Sequence, residues 1–198
     1  AIAGLLSDKM GGPPVFPVQP PGVWNHIGVA SNLWKTSRNE DLHRRGVYVY
    51  WRRTVPYPSF VNFDAPSREV CSVSRSPSNT PLQALTLLND PVFFEAAGAL
   101  AARGLDEVPA TAPPLTGLQF LFGLATSRRA TTSEATVLLD RYTHERARLA
   151  GSPGQVRQLV ERGHPRGRKR GEKQNIELAA WLHVANVILN LDEVITRE

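Results

Sequence analysis

The chain has 198 residues, 41% hydrophobic and 21% charged, the make-up of a globular domain large enough for a real core. No apolar run reaches the roughly 18 residues of a membrane-spanning helix. The single cysteine, Cys71, excludes an internal disulfide, a cysteine-based zinc site and a CxxCH haem attachment. The opening residues, AIAGLLSDKM, show neither the basic start nor the cleavage pattern of a secretory leader, and the absence of an initiator Met reads as a fragment or processed piece. The net charge of +5 is local. Residues 151–173, GSPGQVRQLVERGHPRGRKRGEK, hold seven cations against two carboxylates, and the rest of the chain balances at sixteen of each.

Residues 11–24, GGPPVFPVQPPGVW, contain five prolines. Proline fixes φ and lacks a donor, so this is extended chain, expected to drape over its own domain with Phe16 and Trp24 as anchors. Residues 25–45 read as polar loop with at most a helical turn. In GVYVYWRRTVPYPSF, 46–60, Val47, Val49 and Trp51 alternate with Tyr48, Tyr50 and Arg52, as in a half-buried strand. No partner run is in sight, and a helix ending before Pro56 fits equally well. Residues 56–80 read as loop.

Helices follow. Thr80, Pro81 and Gln83 form a capping box with Pro at the first helical position. Leu82, Leu85, Leu87 and Leu88 predict an inward face. Asp90-Pro91 starts a second helix over 91–103, with Gly98 inside a run of alanines and Gly104 placed to end it. An interior glycine costs roughly 1 kcal/mol relative to alanine, so a packing contact is expected at Gly98. Residues 115–126 carry Leu115, Leu118, Leu121 and Phe122 at helical spacing, with Arg128 and Arg129 beyond the C-terminus. Residues 132–150 start on a Thr131–Glu134 box, and Gly151 ends them. Residues 174–195 put Leu178, Trp181, Leu182, Ala185, Ile188 and Leu189 on one face; His183, Asn186, Asn190, Glu193 and Arg197 read as the solvent stripe.

Chemistry is sparse. There is no HxxxH, HExxH, CxxC, GxSxG or phosphate-binding loop. Cys71 beside His26 or His43 makes a weak nucleophile pair; a buried thiol is the simpler reading. The loop is richer: Arg44, Arg45, Arg52, Arg53, Asp64, Arg68, Glu69, Arg75 and Asn79 lie among Tyr48, Tyr50, Trp51, Tyr57, Phe60 and Phe63. Arginine suits bidentate contacts to carboxylate or phosphate, and the aromatics could line a groove. An internal network, with Asp64 and Glu69 paired to arginines, is the competing reading.

Three strings in order, GGPPVFPVQPPGVW, RRGVYVYWRRTVPYPSFVNFDAPSREVCSVSRSPSNTPLQALTLLNDPVFFEAA and ELAAWLHVANVILNLDEVITRE, resemble a planctomycete-specific family, the domain of unknown function 1553. Its pattern falls here on Trp51, Arg52, Arg53, Pro56, Asp64, Arg68, Glu69, Cys71, Arg75, Asn79, Thr80, Pro81, Gln83, Asn89, Asp90 and Pro91. The chain resembles the C-terminal portion of that domain. The resemblance implies a multidomain, exported cell-envelope protein whose upstream parts include a c-type cytochrome domain and sometimes a carbohydrate-binding-like domain. Haem then belongs upstream, and no cofactor is expected in this chain. No catalytic residue is carried over. The basic 151–173 stretch departs from the family pattern.

The expected architecture is mainly α, about five helices with a long Pro/Arg-rich ordered loop packed over them. Within one domain, 1–80 is mostly extended chain and loop, 81–150 is the helical core, 151–173 a basic flexible linker and 174–198 the C-terminal helix. The expected function is a non-catalytic binding or interaction module, with a ligand at Arg52, Arg53, Asp64, Arg68, Arg75 and Asn79. Expected partners are other domains of the parent protein and polysaccharide. The alternatives are a polysaccharide-acting enzyme using Asp64 or Glu69 as acid or base, and nucleic-acid binding through 157–173, which is disfavoured because no aromatic is interleaved there.

Overall fold

The computed structural model describes residues 1–20, 23, 34–74, 78–165 and 167–196, which leaves the expected anchor Trp24 and residues His26, Arg75, Arg166 and Arg197 outside the described residues. The described residues are mainly helical and divide into two compact units, Leu5–Gln83 and Ala84–Glu198 with Ala1–Gly4.

The N-terminal unit is built on loop. The ambiguous segment 46–60 is neither the strand nor the long helix considered for it. It holds a 3-10 turn, Gly46–Tyr48, then a single parallel bridge from Val49 to Val15, then a short helix α1, Pro58–Asn62. The pairing partner is the proline-rich segment itself: Val15 N–H donates to Tyr48 O at 2.8 Å and Tyr50 N–H to Val15 O at 2.9 Å. Pro14 and Pro17 flank Val15 and have no N–H to extend the ladder, so pairing stops at one residue. Val15, Val49 and Tyr57 form a small core, with Trp34, Tyr48 and Phe60 packed against it. Phe16 anchors as expected, edge-on to Trp34 at 5.2 Å and stacked on Tyr50 at 5.1 Å. Arg44 is buried beneath the Tyr48 ring and donates to Lys9 O at 2.8 Å and Gly11 O at 2.6 Å, a structural use of one loop arginine.

Helix α2, Pro81–Asn89, crosses from one unit into the other. Its capping box forms: Thr80 N–H donates to Gln83 Oε1 at 2.9 Å and Gln83 N–H to Thr80 Oγ1 at 3.3 Å. Its inward face is not the expected one. Leu82 and Leu85 are each 56% exposed and Leu88 is exposed too, whereas Gln83 and Leu87 are buried. Gln83 tolerates burial because its amide is hydrogen-bonded at both ends, by the cap on one side and by Asp64 and Ser78 on the other.

The C-terminal unit packs α3 (Pro91–Glu107), α4 (Pro114–Thr126), α5 (Thr132–Ala150), α6 (Pro153–Gly163) and α7 (Glu172–Leu189), with a last turn α8 (Asp192–Ile195). Asp90 caps α3 by accepting from Val92 N–H at 2.9 Å. The α3 helix runs past Gly104 to Glu107: Gly104 serves packing rather than termination, since a Cβ there would stand 2.9 Å from Leu121 Cδ2. Gly98 faces α6, where a Cβ would come 1.9 Å from the Gly163 carbonyl oxygen. This backbone-on-backbone approach is the contact that its place in a helix interior requires.

The stretch 151–173 is not a flexible linker throughout. Residues 153–163 are helix α6, and Val156 is buried in a cluster with Leu149 and Ala179. Ser152-Pro153 starts this helix and Val156, Leu159 and Val160 give it an apolar edge, so charge on the opposite side does not prevent docking. Its arginines are also partly committed. Arg162 donates to Asn89 O at 2.9 Å and lies over the Phe94 ring; Arg170, its side chain only 4% exposed, pairs with Asp106 at 2.6 Å.

The α7 polar stripe is not a solvent face either. Asn186 is buried, and Glu193, beyond the helix, binds Arg128 at 2.6 Å. Arg128 also pairs with Glu134 at 2.7 Å, and this guanidinium with the Thr131 cap holds the Glu134 carboxyl down to about 2. His183 is the mechanistically telling member. Its Nε2 is buried without a hydrogen bond, 3.8 Å from Glu145 Oε2, and burial lowers its pKa below the ordinary 6.5. Burial pushes Glu145 up, but Arg148, His183 and Arg141 outweigh it and hold the carboxyl below its usual range.

Both shifts have the same consequence on acidification. The unfolded chain takes a proton on His183 below 6.5 that the folded unit refuses, so stability falls as pH drops from there. The Glu145 contribution, present above its unfolded 4.5, is lost as pH falls further through its folded value. Urea denaturation followed at pH 7.5, 6 and 5 should therefore show a falling midpoint that is flatter in His183→Asn. An equal slope in the variant would assign the acid sensitivity to another group.

Candidate functional site

In the N-terminal unit the chain leaves the Val15–Val49 bridge at Trp51, turns into α1, and returns through two residues in the left-handed region, Asp64 at φ 55° and Arg68 at φ 63°. Non-glycine residues are uncommon there, and each position costs of order 1 kcal/mol or more. The first turn is fastened by Ala65 N–H donating to Phe60 O at 2.9 Å. The return lays 65–68 across the edge of α1 and leaves a cleft of about 370 Å³, lined by Val47, Trp51, Phe60, Phe63, Pro66 and Arg68 among others.

The aromatic wall is continuous. Trp51 stacks on Phe60 at 5.5 Å, Phe60 meets Tyr57 edge-on at 5.6 Å, and Tyr57 lies parallel to Trp34 at 6.0 Å. Most polar ends of this wall are satisfied: Trp34 Nε1 donates to Pro17 O and the Tyr57 hydroxyl to Val18 O, both at 2.9 Å. Trp51 is the exception. Its Nε1 is buried with no hydrogen-bond partner among the described residues. An indole nitrogen is only a donor, so the partner it lacks is an acceptor. Above the Trp51 ring, with Cζ 4.5 Å from its centroid, lies the exposed side chain of Arg68.

The six sequence-predicted residues separate. Arg68 stands at the cleft. Asp64 lies in a knot that ties the loop to α2, accepting from Ser78 N–H at 2.8 Å, Ser78 Oγ at 2.7 Å and Gln83 Nε2 at 3.4 Å. Arg52 donates along its own loop to Thr54 Oγ1 at 3.2 Å; Arg53 and Asn79 are exposed; Arg75 lies outside the described residues. Glu69 is exposed, its N–H 3.3 Å from Ser67 Oγ. Cys71, read as a buried thiol, is exposed. Of the groove-forming aromatics, Trp51, Phe60 and Phe63 line the cleft, while Tyr48, Tyr50 and Tyr57 serve the small core and its rim. Val47 and Pro66 were not singled out from sequence, since their place depends on the 65–68 return.

The C-terminal unit has a second cleft of about 530 Å³. Its charges are already paired: the Tyr142 hydroxyl and Arg146 Nε both donate to Glu177 in very short contacts, and Arg170 holds Asp106. Burial first, then the Glu177 carboxylate, pushes the Tyr142 phenol above its ordinary value. A paired site of this kind has fewer unmet groups to offer a ligand than the Trp51 cleft. Among the described residues no group of three or more His, Cys, Asp or Glu is placed to hold a metal, and no helix is long and apolar enough to cross a membrane.

A family model described as PSD1, protein of unknown function (DUF1553), matches residues 1–142. The match takes in the whole N-terminal unit and extends into α5; residues 143–198 lie outside it. No curated protein and no solved structure matches the chain.

Proposed function

Because the chain belongs to the PSD1 family of proteins of unknown function (DUF1553), we propose its function from its own geometry: a non-catalytic binding module whose ligand occupies the Trp51–Arg68 cleft. The observation that carries this reading is a concave, aromatic-walled site with an unmet buried donor and an exposed cation at its lip. The wider setting is part of the same proposal. The family's usual company supports a cell-envelope protein in which this module works beside other domains, haem being carried by one of them.

Two features weigh against the other readings. Asp64, one of the two candidates for acid or base, accepts at least three hydrogen bonds within the loop–α2 knot, which suits holding a fold more than exchanging protons with a substrate, and the other, Glu69, is exposed and does not line the cleft. The basic 157–173 stretch has Arg162 and Arg170 engaged within its own unit, which leaves less charge for a nucleic-acid backbone.

The test fills the cleft. Ala65 lines it, and Ala65→Phe adds a ring inside without replacing any charged group. A panel of uronate oligosaccharides, sulfated glycans, and aliphatic and aromatic acids is screened by thermal shift. A ligand should raise the wild-type midpoint and lose its effect on Ala65→Phe, with far-UV circular dichroism unchanged. Binding that survives the filling, or no binding across the panel, would reject the cleft as the site.

A further inference from the structure

Resting on that reading, we infer the class of ligand: a monocarboxylate with an apolar body, its carboxylate held between the Arg68 guanidinium and the Trp51 indole N–H.

Trp51 and Arg68 bring only donors to the cleft, and Ser59, which also lines it, adds one hydroxyl that can donate or accept. Trp51 Nε1 is buried and unpaired among the described residues, and a buried donor left unmade is destabilising. Arg68 lies over the indole face. Its planar fork has five N–H donors and no acceptor, a geometry that matches a carboxylate at two points. One guanidinium and one neutral N–H balance a single negative charge. A phosphate dianion would keep an uncompensated charge beside an aromatic wall, so a monoanion fits better.

The rest of the cleft sets the body. Val47, Phe60, Phe63 and Pro66 offer apolar surface, and the volume of about 370 Å³ lies near the small end of the roughly 300–1,000 Å³ typical of ligand sites. A sugar ring placed there would give up water at several hydroxyls and find few acceptors or donors in return. A phenyl or short aliphatic body makes no such sacrifice.

Arg68 is the adjustable part of the site. Its side chain is exposed and stacked rather than hydrogen-bonded, so it forms the movable wall of the site. Turning the guanidinium from the indole face toward an incoming carboxylate lets one oxygen accept from Arg68 while the other accepts from the Trp51 N–H. Arg68 has left-handed backbone, and its side chain lies over the Trp51 ring at the cleft.

The experiment is a titration of the whole chain with 3-phenylpropionate, its amide and glucuronate, read by heat and by the indole N–H proton signals. Trp51→Phe assigns the relevant signal and keeps the stacking. The expected result is that 3-phenylpropionate binds and shifts the Trp51 N–H signal, while the amide binds at least about tenfold more weakly, as loss of a charge-assisted contact requires. Arg68→Gln and Trp51→Phe should each weaken the acid by a similar factor and narrow its preference over the amide. If acid and amide bind alike, the cleft takes apolar molecules and the carboxylate assignment is wrong. If glucuronate binds and 3-phenylpropionate does not, the binding module stands and the apolar body is wrong. Binding with an unmoved Trp51 signal rejects the indole contact. If neither acid binds, this inference fails, and the cleft-filling screen decides separately whether the site binds anything.

Discussion

Alanine at Gly98 should cost the C-terminal unit about 3 kcal/mol or more, the upper range for overpacking a tight core. A Cβ there would lie 1.9 Å from the Gly163 carbonyl oxygen, 2.4 Å from its carbon and 2.9 Å from Cα. All three are backbone atoms, which cannot rotate away as a side chain can. The α3 and α6 helices would have to separate, and Val156 and Leu149 would lose their seat with them. The helix-propensity gain of glycine to alanine, about 1 kcal/mol, is too small to offset this. Gly117 is the internal control. It lies in α4 with Trp181 Cζ2 3.4 Å from the Cβ position, an ordinary contact, so Gly117→Ala should be neutral or mildly stabilising. Urea midpoints of the two variants measure the contrast; similar midpoints would mean that α3 and α6 are not held at backbone distance.

Alanine at Asp64 should be the most damaging change in the N-terminal unit, at about 3 kcal/mol. It removes the acceptor for Ser78 N–H, Ser78 Oγ and the Gln83 amide, and Gln83 is only 1% exposed. Unmet buried donors cost about 1–3 kcal/mol, and alanine is poorly suited to φ 55°, adding about 1 kcal/mol. Asp64→Asn keeps one oxygen acceptor and the tolerance of left-handed backbone, so it should recover more than half of the loss. The same pair separates structure from chemistry. If Asp64→Asn folds and the cleft still binds its ligand, the carboxylate is a fastener; if it folds and binding disappears, Asp64 belongs to the site.

What the sequence made readable was local. Thr80-Pro81-Gln83, Asp90-Pro91 and Thr131–Glu134 each specify a helix start within four residues, and all three form. The mainly helical class and the packing role of Gly98 followed from the same rules. What escaped depended on partners far along the chain. The α2 leucines were assigned inward by periodicity, yet Gln83 turns in because Asp64 and Ser78, nineteen and five residues back, satisfy its amide. In α6 the Val156, Leu159 and Val160 edge was present in the sequence, but the surrounding arginines and glycines masked it, and the partners of Arg162 and Arg170 lie far along the chain. Arg68 and the aromatics were visible as ingredients. That Arg68 covers Trp51, and that Asp64 does not join it, is set by two left-handed turns that composition does not announce.

The stacked rings carry an optical consequence. Trp34 and Trp51 lie in the N-terminal unit, each against an aromatic neighbour, while Trp181 lies in the C-terminal unit with its ring 4.4 Å from Tyr142. Each unit therefore has its own chromophore in a distinct environment, one beneath a cation and one beside a phenol. Tyrosine-to-tryptophan energy transfer arises in both units, from Tyr57 to Trp34 in one and from Tyr142 to Trp181 in the other, and emission sensitive to Arg68 would follow the N-terminal unit alone. Whether the chain melts as one cooperative body or as two is thus written in its intrinsic fluorescence, without any added label.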